Sequence, residues 1–511
     1  MLGGGAGFAT SPDLPSKGGM RRSVLQAVAR IRDRSQRHGD GRWRRCRLAT
    51  ACCRLVLLSA VGAGAWPAPA GAQADILPRL RARAQLTVAV GAAPTRQAVA
   101  VADLTGDHAP DLVVVAPADH RVDVFVNLGE ATFRAAEPVV VATASPVAVA
   151  LADIIAADDG ASAPDGRADL LIGTAEGDLL VVAGLGDGRF SGVRQQLSHV
   201  LPAGVIGIAS GDFDAQPGLD VALLGAGTPD LVLRCSAADG QLAECSGAPA
   251  IDLGVSDVLE LLPGDFDGDG RTDLAVLTST TQQLVPLFGR GDATFDMRPI
   301  INVSGEAEDG AVDMAVGRLN GDAIDDLVVA NSDKFLQFLA VSVFGRADRV
   351  LRPKGIVASF DARAVALGSF DPSLEGTQLL IATERGELSW TPNDGAGEFT
   401  CPYLLPAAAA LTSVPLLLAA DLDGYRGDEV VALTDGGATL AILGNVTNVC
   451  PGDCNHDGAV RVDEVVRGVG LALGEATAGS CGAFEQDSVV GISVAELVRG
   501  VAALLGGCPA A

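Results

Sequence analysis

Aromatic side chains are scarce in this sequence: 4 % of 511 residues, with 3 Trp and 2 Tyr. Sugar grooves stack rings on exposed aromatics, so the chain has little to build one from. Histidine is scarcer still, with five in all: His38, His108, His120, His199 and His456. None stands in a His-Glu-x-x-His helix, and no Gly-x-Ser-x-Gly elbow or phosphate-binding glycine loop is present. The chain is therefore read as a non-enzyme. The one hydrolytic arrangement left open is a carboxylate pair that meets only in three dimensions. No Cys-x-x-Cys pair suggests zinc. A long apolar run is missing too. The uncharged stretch 402–420 contains Pro402, Pro406 and Pro415, which break helices, and its register matches an outer strand, a turn and an inner strand. No membrane span is expected.

Positive charge is in short supply after residue 74. Residues 1–74 hold 12 Lys+Arg against 3 Asp+Glu, a net of +9; the remainder holds 25 against 60, a net of −35. An acidic body of that size repels nucleic acid and anionic membrane, and it attracts cations. The basic start reads as a leader and secretory signal. Arg42–Arg47 is the charged region, 55–66 the apolar region, and Ala72-Gln73-Ala74 a small-x-small cleavage site. The expected address is secreted, extracellular or periplasmic, where disulfides are permitted. Cys235 and Cys245 flank a glycine-containing turn and can bridge locally. Cys450, Cys454, Cys481 and Cys508 cluster in the tail with their pairing open, and Cys401 is left over.

What the chain has in plenty is one acidic turn, repeated. It is clearest at Gly264-Asp265-Phe266-Asp267-Gly268-Asp269-Gly270-Arg271-Thr272-Asp273. Four carboxylates within nine residues repel one another unless a hard, oxygen-seeking cation sits among them, and calcium suits such a loop. The expected ligand set is Asp265, Asp267, Asp269, Arg271 and Asp273. The first repeat offers Asp103, Thr105, Asp107 and Asp111. Copies begin at Asp103, Asp153, Asp212, Asp265, Arg318, Ser369 and Asp421, a mean step of about 53 residues. The other five loops depart from the pattern. Repeat two carries an insertion, Arg318 stands in the first place of repeat five, and repeat six ends at Thr377. Each period holds an apolar strand, the acidic loop, a second apolar strand, a third and an outer segment, and four short strands per repeat make one propeller blade. Seven periods predict an all-β, seven-bladed propeller over residues 75–449. The strand 85–90 has no blade of its own and is expected to close the ring on the last one.

The stretches 265–277 and 103–115, with Asn127-Leu-Gly-Glu-Ala-Thr-Phe133 and Gly291-Asp-Ala-Thr-Phe295, resemble the FG-GAP/VCBS repeat family, to which the integrin α-subunit head is related. The resemblance spans roughly 85–445. It implies a seven-bladed propeller with calcium in its loops and an extracellular setting. It implies no activity, because the family mixes adhesion proteins, lectin-like binders and appendages of enzymes.

Residues 450–511 differ in character. Asp453, Asn455, Asp457, Gly458, Ala459 and Glu464 match a twelve-residue EF-hand loop: three side-chain oxygens, a bend, a carbonyl and a closing bidentate glutamate. A second copy lies 32 residues on, where Val494–Val501 echoes Val462–Val469 and the loop keeps Glu485, Asp487 and Glu496. Two loop–helix units resemble a dockerin, which implies a cohesin-like partner; the cysteines there are foreign to that pattern. The combined expectation is a secreted, calcium-binding, non-enzymatic binding or adhesion scaffold for an extracellular protein or glycan. The alternative is a polysaccharide-active hydrolase or lyase, or a lectin, on the same ring. Trp390 and Tyr403 are read as core filling before ligand platform.

Overall fold

The computed structural model of the chain divides into two compact units, residues 1–67 and 68–511. The described residues run from 78 to 506 apart from short breaks, the longest at 156–163, 304–309, 333–338, 406–410, 446–451, 453–459 and 474–493. The expected leader, the insertion of repeat two, most of the expected EF-hand loop, and Cys401, Cys450, Cys454, Cys481 and Cys508 lie outside them.

The described part is a ring of seven antiparallel sheets. β1 (Leu80–Thr87) precedes the first blade. Blade one is β2 (Val99–Ala102), β3 (Asp111–Ala116), β4 (Arg121–Asn127) and β5 (Phe133–Ala135), with β6 (Val139–Val140) also on β4. Blade two is β7 (Pro146–Ala152), β8 (Asp169–Thr174), β9 (Leu179–Gly184) and β10 (Phe190–Leu197). Blade three is β11 (Val205–Gly211), β12 (Asp220–Gly225), β13 (Asp230–Ser236) and β14 (Leu242–Glu244), with β15 (Ile251–Asp252) on β13. Blade four is β16 (Val258–Gly264), β17 (Asp273–Thr278), β18 (Gln283–Gly289) and β19 (Phe295–Met297), with β20 (Ile301–Asn302) on β18. Blade five is β21 (Gly310–Gly317), β22 (Asp326–Ser332), β23 (Leu339–Phe344) and β24 (Arg352–Ala358). Blade six is β25 (Ala362–Gly368), β26 (Gln378–Thr383), β27 (Leu388–Thr391) and β28 (Tyr403–Leu404). Blade seven is β29 (Leu416–Ala420), β30 (Glu429–Thr434) and β31 (Thr439–Asn445), completed by β1.

The sequence explains the layering. Second strands such as Asp111-Leu-Val-Val-Val-Ala are buried at every position, because each blade face packs on a neighbouring blade. β-Branched and small side chains suit such a two-sided, pleated interior. Fourth strands, on the rim, are short or polar. The expected closure is present: β1 pairs with β31 from Leu80↔Asn445 to Thr87↔Thr439, five residues earlier than the anticipated 85–90. The amides of Val88 and Val90 extend the pairing to the Ala438 and Gly437 carbonyls at 3.0 Å each.

Antiparallel order puts the first-to-second loops and the third-to-fourth turns on one face of the disc. The other turns and the crossings between blades lie on the opposite face. All seven acidic loops therefore share one face. Beyond the ring, α1 (Val462–Ala472) and α2 (Val494–Gly506) pack on each other through Val460, Val465, Ala503 and Leu504. Among the described residues no helix is long and apolar enough to cross a membrane.

Candidate functional site

The last carboxylate of each loop turns inward. Asp111, Asp169, Asp220, Asp273, Asp326 and Glu429 are at most 1 % exposed. Each accepts an amide from the start of its own loop and one from the end of the third strand; Asp169 and Asp220 accept a further loop amide, from Ile155 and Asp214. The donors at the loop start are Leu104, Ile154, Phe213, Phe266, Leu319 and Leu422; the strand donors are Asn127, Gly184, Ser236, Gly289, Gly345 and Asn445. These twelve bonds measure 2.7–3.0 Å. Buried amides require such partners. In blade six the role falls to Gln378. Its Oε1 accepts from Asp371 N and Trp390 Nε1, and its Nε2 donates to the Asp371 carbonyl. That loop is one residue longer than its neighbours, so Gln378, not Thr377, opens the second strand.

The loop's second residue is always apolar and buried: Leu104, Ile154, Phe213, Phe266, Leu319, Phe370, Leu422. In six loops its carbonyl accepts a hydrogen bond from the next blade round the ring. Gly188, Ala293 and Arg346 donate through backbone N–H to Leu104, Phe213 and Phe266; Asn393, Asn445 and Asn127 donate through Nδ2 to Leu319, Phe370 and Leu422. The last of these crosses the closure from blade one to blade seven. The acidic loops are thus also the joints between blades. Composition hid this role, but an apolar residue after each first acid was its sequence signal.

Loop four brings three of its expected ligands together. Asp265, Asp267 and Asp269 each offer a carboxylate oxygen within 4.8 Å of the others. Asp265 Oδ1 accepts from the amides of Gly268 and Asp269 at 2.7 and 3.1 Å, and Oδ2 from Gly270 at 3.0 Å. The positive φ of Gly268 and Gly270, 74° and 80°, permits this coil. Arg271 pairs with Asp269 Oδ2 at 3.0 Å through its side chain. A residue the sequence did not flag completes the cluster: Arg349 reaches across from blade five. Its Nε and Nη2 lie 2.8 Å from Asp267 and from Asp269. The guanidinium is a stand-in cation, and all-oxygen donors around a positive charge fit calcium. Burial pushes Asp273 up to about 7, and the charges of Asp267 and Asp269 add to that rise. Burial also raises Asp267, with Arg349 opposing.

Elsewhere the expected residues are less gathered. In loop one, Asp103 is spent on the amides of Thr105, Gly106 and His108. Burial alone would raise its carboxyl, but these amides hold it below the ordinary range. Asp107 caps the amide of Ala109, and Asp111 is the inward staple. Loop seven gathers Asp421, Asp423 and Glu429. A third grouping, Asp214, Asp220 and Cys235, loses its sulfur, because Cys235 is bonded to Cys245 as expected. Arg318 pairs at 3.4 Å with Asp325 of its own loop, the residue before the inward Asp326. Asp453, Asn455, Asp457 and Ala459 lie outside the described residues. Glu464 is described: it is buried in the first turn of α1 and accepts the Arg461 amide at 2.7 Å. Trp390 is fully buried and packs at 5.9 Å from Tyr403.

Residues 265–329 match the model of the FG-GAP-like repeat, so this loop belongs to such a repeat within a seven-bladed propeller. No curated protein sequence matches the chain. Among solved structures it is similar to the BP39L lectin from Burkholderia pseudomallei, with 16 % identity, 69 % of this chain and 97 % of that one covered, and a TM-score of 0.53. It is also similar to Sqt1 of Saccharomyces cerevisiae, with 10 % identity, 71 % and 98 % covered, and a TM-score of 0.48. BBS1N, solved in complex with ARL6DN, gives 12 % identity, 71 % and 96 % covered, and 0.48. At these identities the likeness is one of fold.

Proposed function

We propose that the chain is an exported, calcium-stabilised propeller acting as a non-enzymatic binding or adhesion scaffold for an extracellular protein or glycan. The residues after 450 would serve as an attachment module of EF-hand or dockerin-like type. The observation that carries the reading is the loop-four cluster: three carboxylates converge from alternate positions of one loop, and a neighbouring blade's arginine pairs with two of them. A divalent ion there, held by Asp265, Asp267 and Asp269, would neutralise charge at a joint between two blades. Its work is to fasten the scaffold, not to activate water. The basic leader and the disulfide agree with export. The polysaccharide-cleaving alternative is weakened by Trp390, whose ring is enclosed; among the described residues Tyr403 is the one exposed large aromatic.

The test is calorimetric titration of the metal-free protein with calcium, beside an Asp267→Asn/Asp269→Asn variant. Binding that loses one site in the variant is expected, with no reducing ends or unsaturated products from a polysaccharide panel. Absence of calcium binding overturns the metal reading, and turnover of any polysaccharide overturns the scaffold reading. A glycan array then separates a sugar ligand from a protein one.

A further inference from the structure

The axis of the ring is closed by a polar hub toward the end away from the acidic loops. Five inner strands carry a bulge at one place, between Pro146/Ala148, Val205/Gly207, Val258/Glu260, Ala311/Asp313 and Ala362/Ala364. The residue after the bulge is small in three blades and acidic in two, Glu260 and Asp313. The connection from β1 to β2 lies among them. Thr95 Oγ1 donates to the Val147 carbonyl of blade two, and Arg96 to the Pro415 carbonyl before β29. Gln97 Nε2 donates to the Ile208 carbonyl of blade three at 2.8 Å and, more weakly, to that of Leu261 in blade four at 3.4 Å. Its Oε1 accepts the Ile208 amide and its carbonyl accepts the Val149 amide. Asp313 Oδ1 faces Arg96 Nε at 3.6 Å while its Oδ2 accepts the Val365 amide of blade six at 2.7 Å. Glu260 Oε2 accepts the Met314 amide of blade five at 2.9 Å. Three residues from one connection and two acids thereby tie blades two to seven together, and the connection itself runs on into blade one.

Charge does not balance at this hub. Glu260 and Asp313 are both buried, and among the described residues one guanidinium, Arg96, bears on them. Of the seven inner strands, β2, β7, β11 and β29 carry no charged side chain. β25 carries Arg363, which stands at the bulge, one residue before the level of the two acids. Asp313 holds the ion pair and a buried amide. Among the described residues a second carboxylate charge in the same dry space would have no counter-ion, and an isolated buried charge is more costly than a proton. The geometry points to Glu260 as a proton-binding site: in the folded protein at neutral pH its carboxyl is protonated, and loss of that proton loosens the axis of the ring.

Burial, with the Asp313 charge adding to it and Arg96 opposing, raises Glu260 well above the ordinary carboxyl value of 4.5. Burial takes Asp313 only to about 6, against the pull of Arg96, so at neutral pH Asp313 is the ionised partner of the two. The sign follows from linkage. Stability held through the Glu260 proton is fully present below 4.5 and is lost as pH rises through the folded-state value. Between those limits the folding equilibrium constant falls about tenfold per pH unit for one proton.

Unfolding of the full chain in urea, at saturating calcium and from about pH 5 to about pH 9, tests this with Glu260→Gln and Asp313→Asn. The isosteric Glu260→Gln is expected to equal or exceed the parent at high pH and to lose about tenfold per unit of the parent's decline. Asp313→Asn is expected to be weaker than the parent at neutral pH, with Glu260 turned into the ionised partner of Arg96 and its share of the decline removed. An infrared spectrum of the parent minus Glu260→Gln is expected to contain a protonated-carboxyl band at neutral pH. A Glu260→Gln profile parallel to the parent's, or a difference spectrum without that band, overturns the inference.

Discussion

At the scale of single residues, the loops depend on one backbone conformation. Three residues after the first acid the chain adopts positive φ: Gly106 at 79°, Gly268 at 74° and Gly424 at 76°. Each of these amides donates to its first acid at 2.7 Å. Loop three makes the same bond with Ala215 at φ 57°, where a Cβ crowds the carbonyl. Ala215→Gly is therefore expected to stabilise the protein by about 0.5–1 kcal/mol, the left-handed strain relieved less the added freedom of the unfolded chain. Gly268→Ala is expected to act in the opposite sense and more strongly, since its Cβ would also meet Ile324 at 2.9 Å. Urea midpoints of the two variants decide the matter; a destabilised Ala215→Gly would show that the turn is not strained.

At the scale of elements, the loop is a joint between blades as well as a cluster of acids, and this explains what could be read in advance. Period, strand order and closure were legible because apolar runs alternate with Asp/Gly turns at a fixed spacing. The inward role of Asp111 or Asp273 was not, because a carboxylate that accepts two buried amides has the same letter as one that holds a cation. Arg349 was hidden for another reason: it lies 80 residues from Asp269 and meets it only because neighbouring blades stack. Its position makes a prediction. If the guanidinium occupies the cation's place, Arg349→Gln should lower the thermal midpoint of the metal-free protein. It should also raise calcium affinity at loop four, since the ion no longer displaces an ion-paired side chain. Calorimetric titration reads both affinity and enthalpy, and weaker calcium binding in the variant would show that Arg349 supports the site instead of competing for it.

At the scale of the whole molecule, buried acids at the staple positions give the ring a common response to pH. Burial raises Asp111, Asp169 and Asp220; it takes Asp326 to about 6 and, with neighbouring acids adding, Asp273 to about 7 and Glu429 to about 8. The ordinary values are 3.8 for aspartate and 4.5 for glutamate. Each such group contributes stability that is present below its ordinary value and lost as pH rises through the folded one. Metal-free protein should therefore lose thermal stability steadily from about pH 4 to about pH 8, as charge accumulates in an already acidic body. Calcium bound beside Asp267 and Asp269 in loop four, and beside Asp421 and Asp423 in loop seven, would reverse the local preference by favouring the ionised carboxylates. The gain in melting temperature on adding calcium should accordingly grow with pH, small near pH 5 and several degrees near pH 8. Scans on protein stripped of metal by ion exchange avoid the pH dependence of chelators. A gain that stayed level or shrank with rising pH would mean that the ions bind away from these buried acids, and that the joints between blades are held by hydrogen bonds alone.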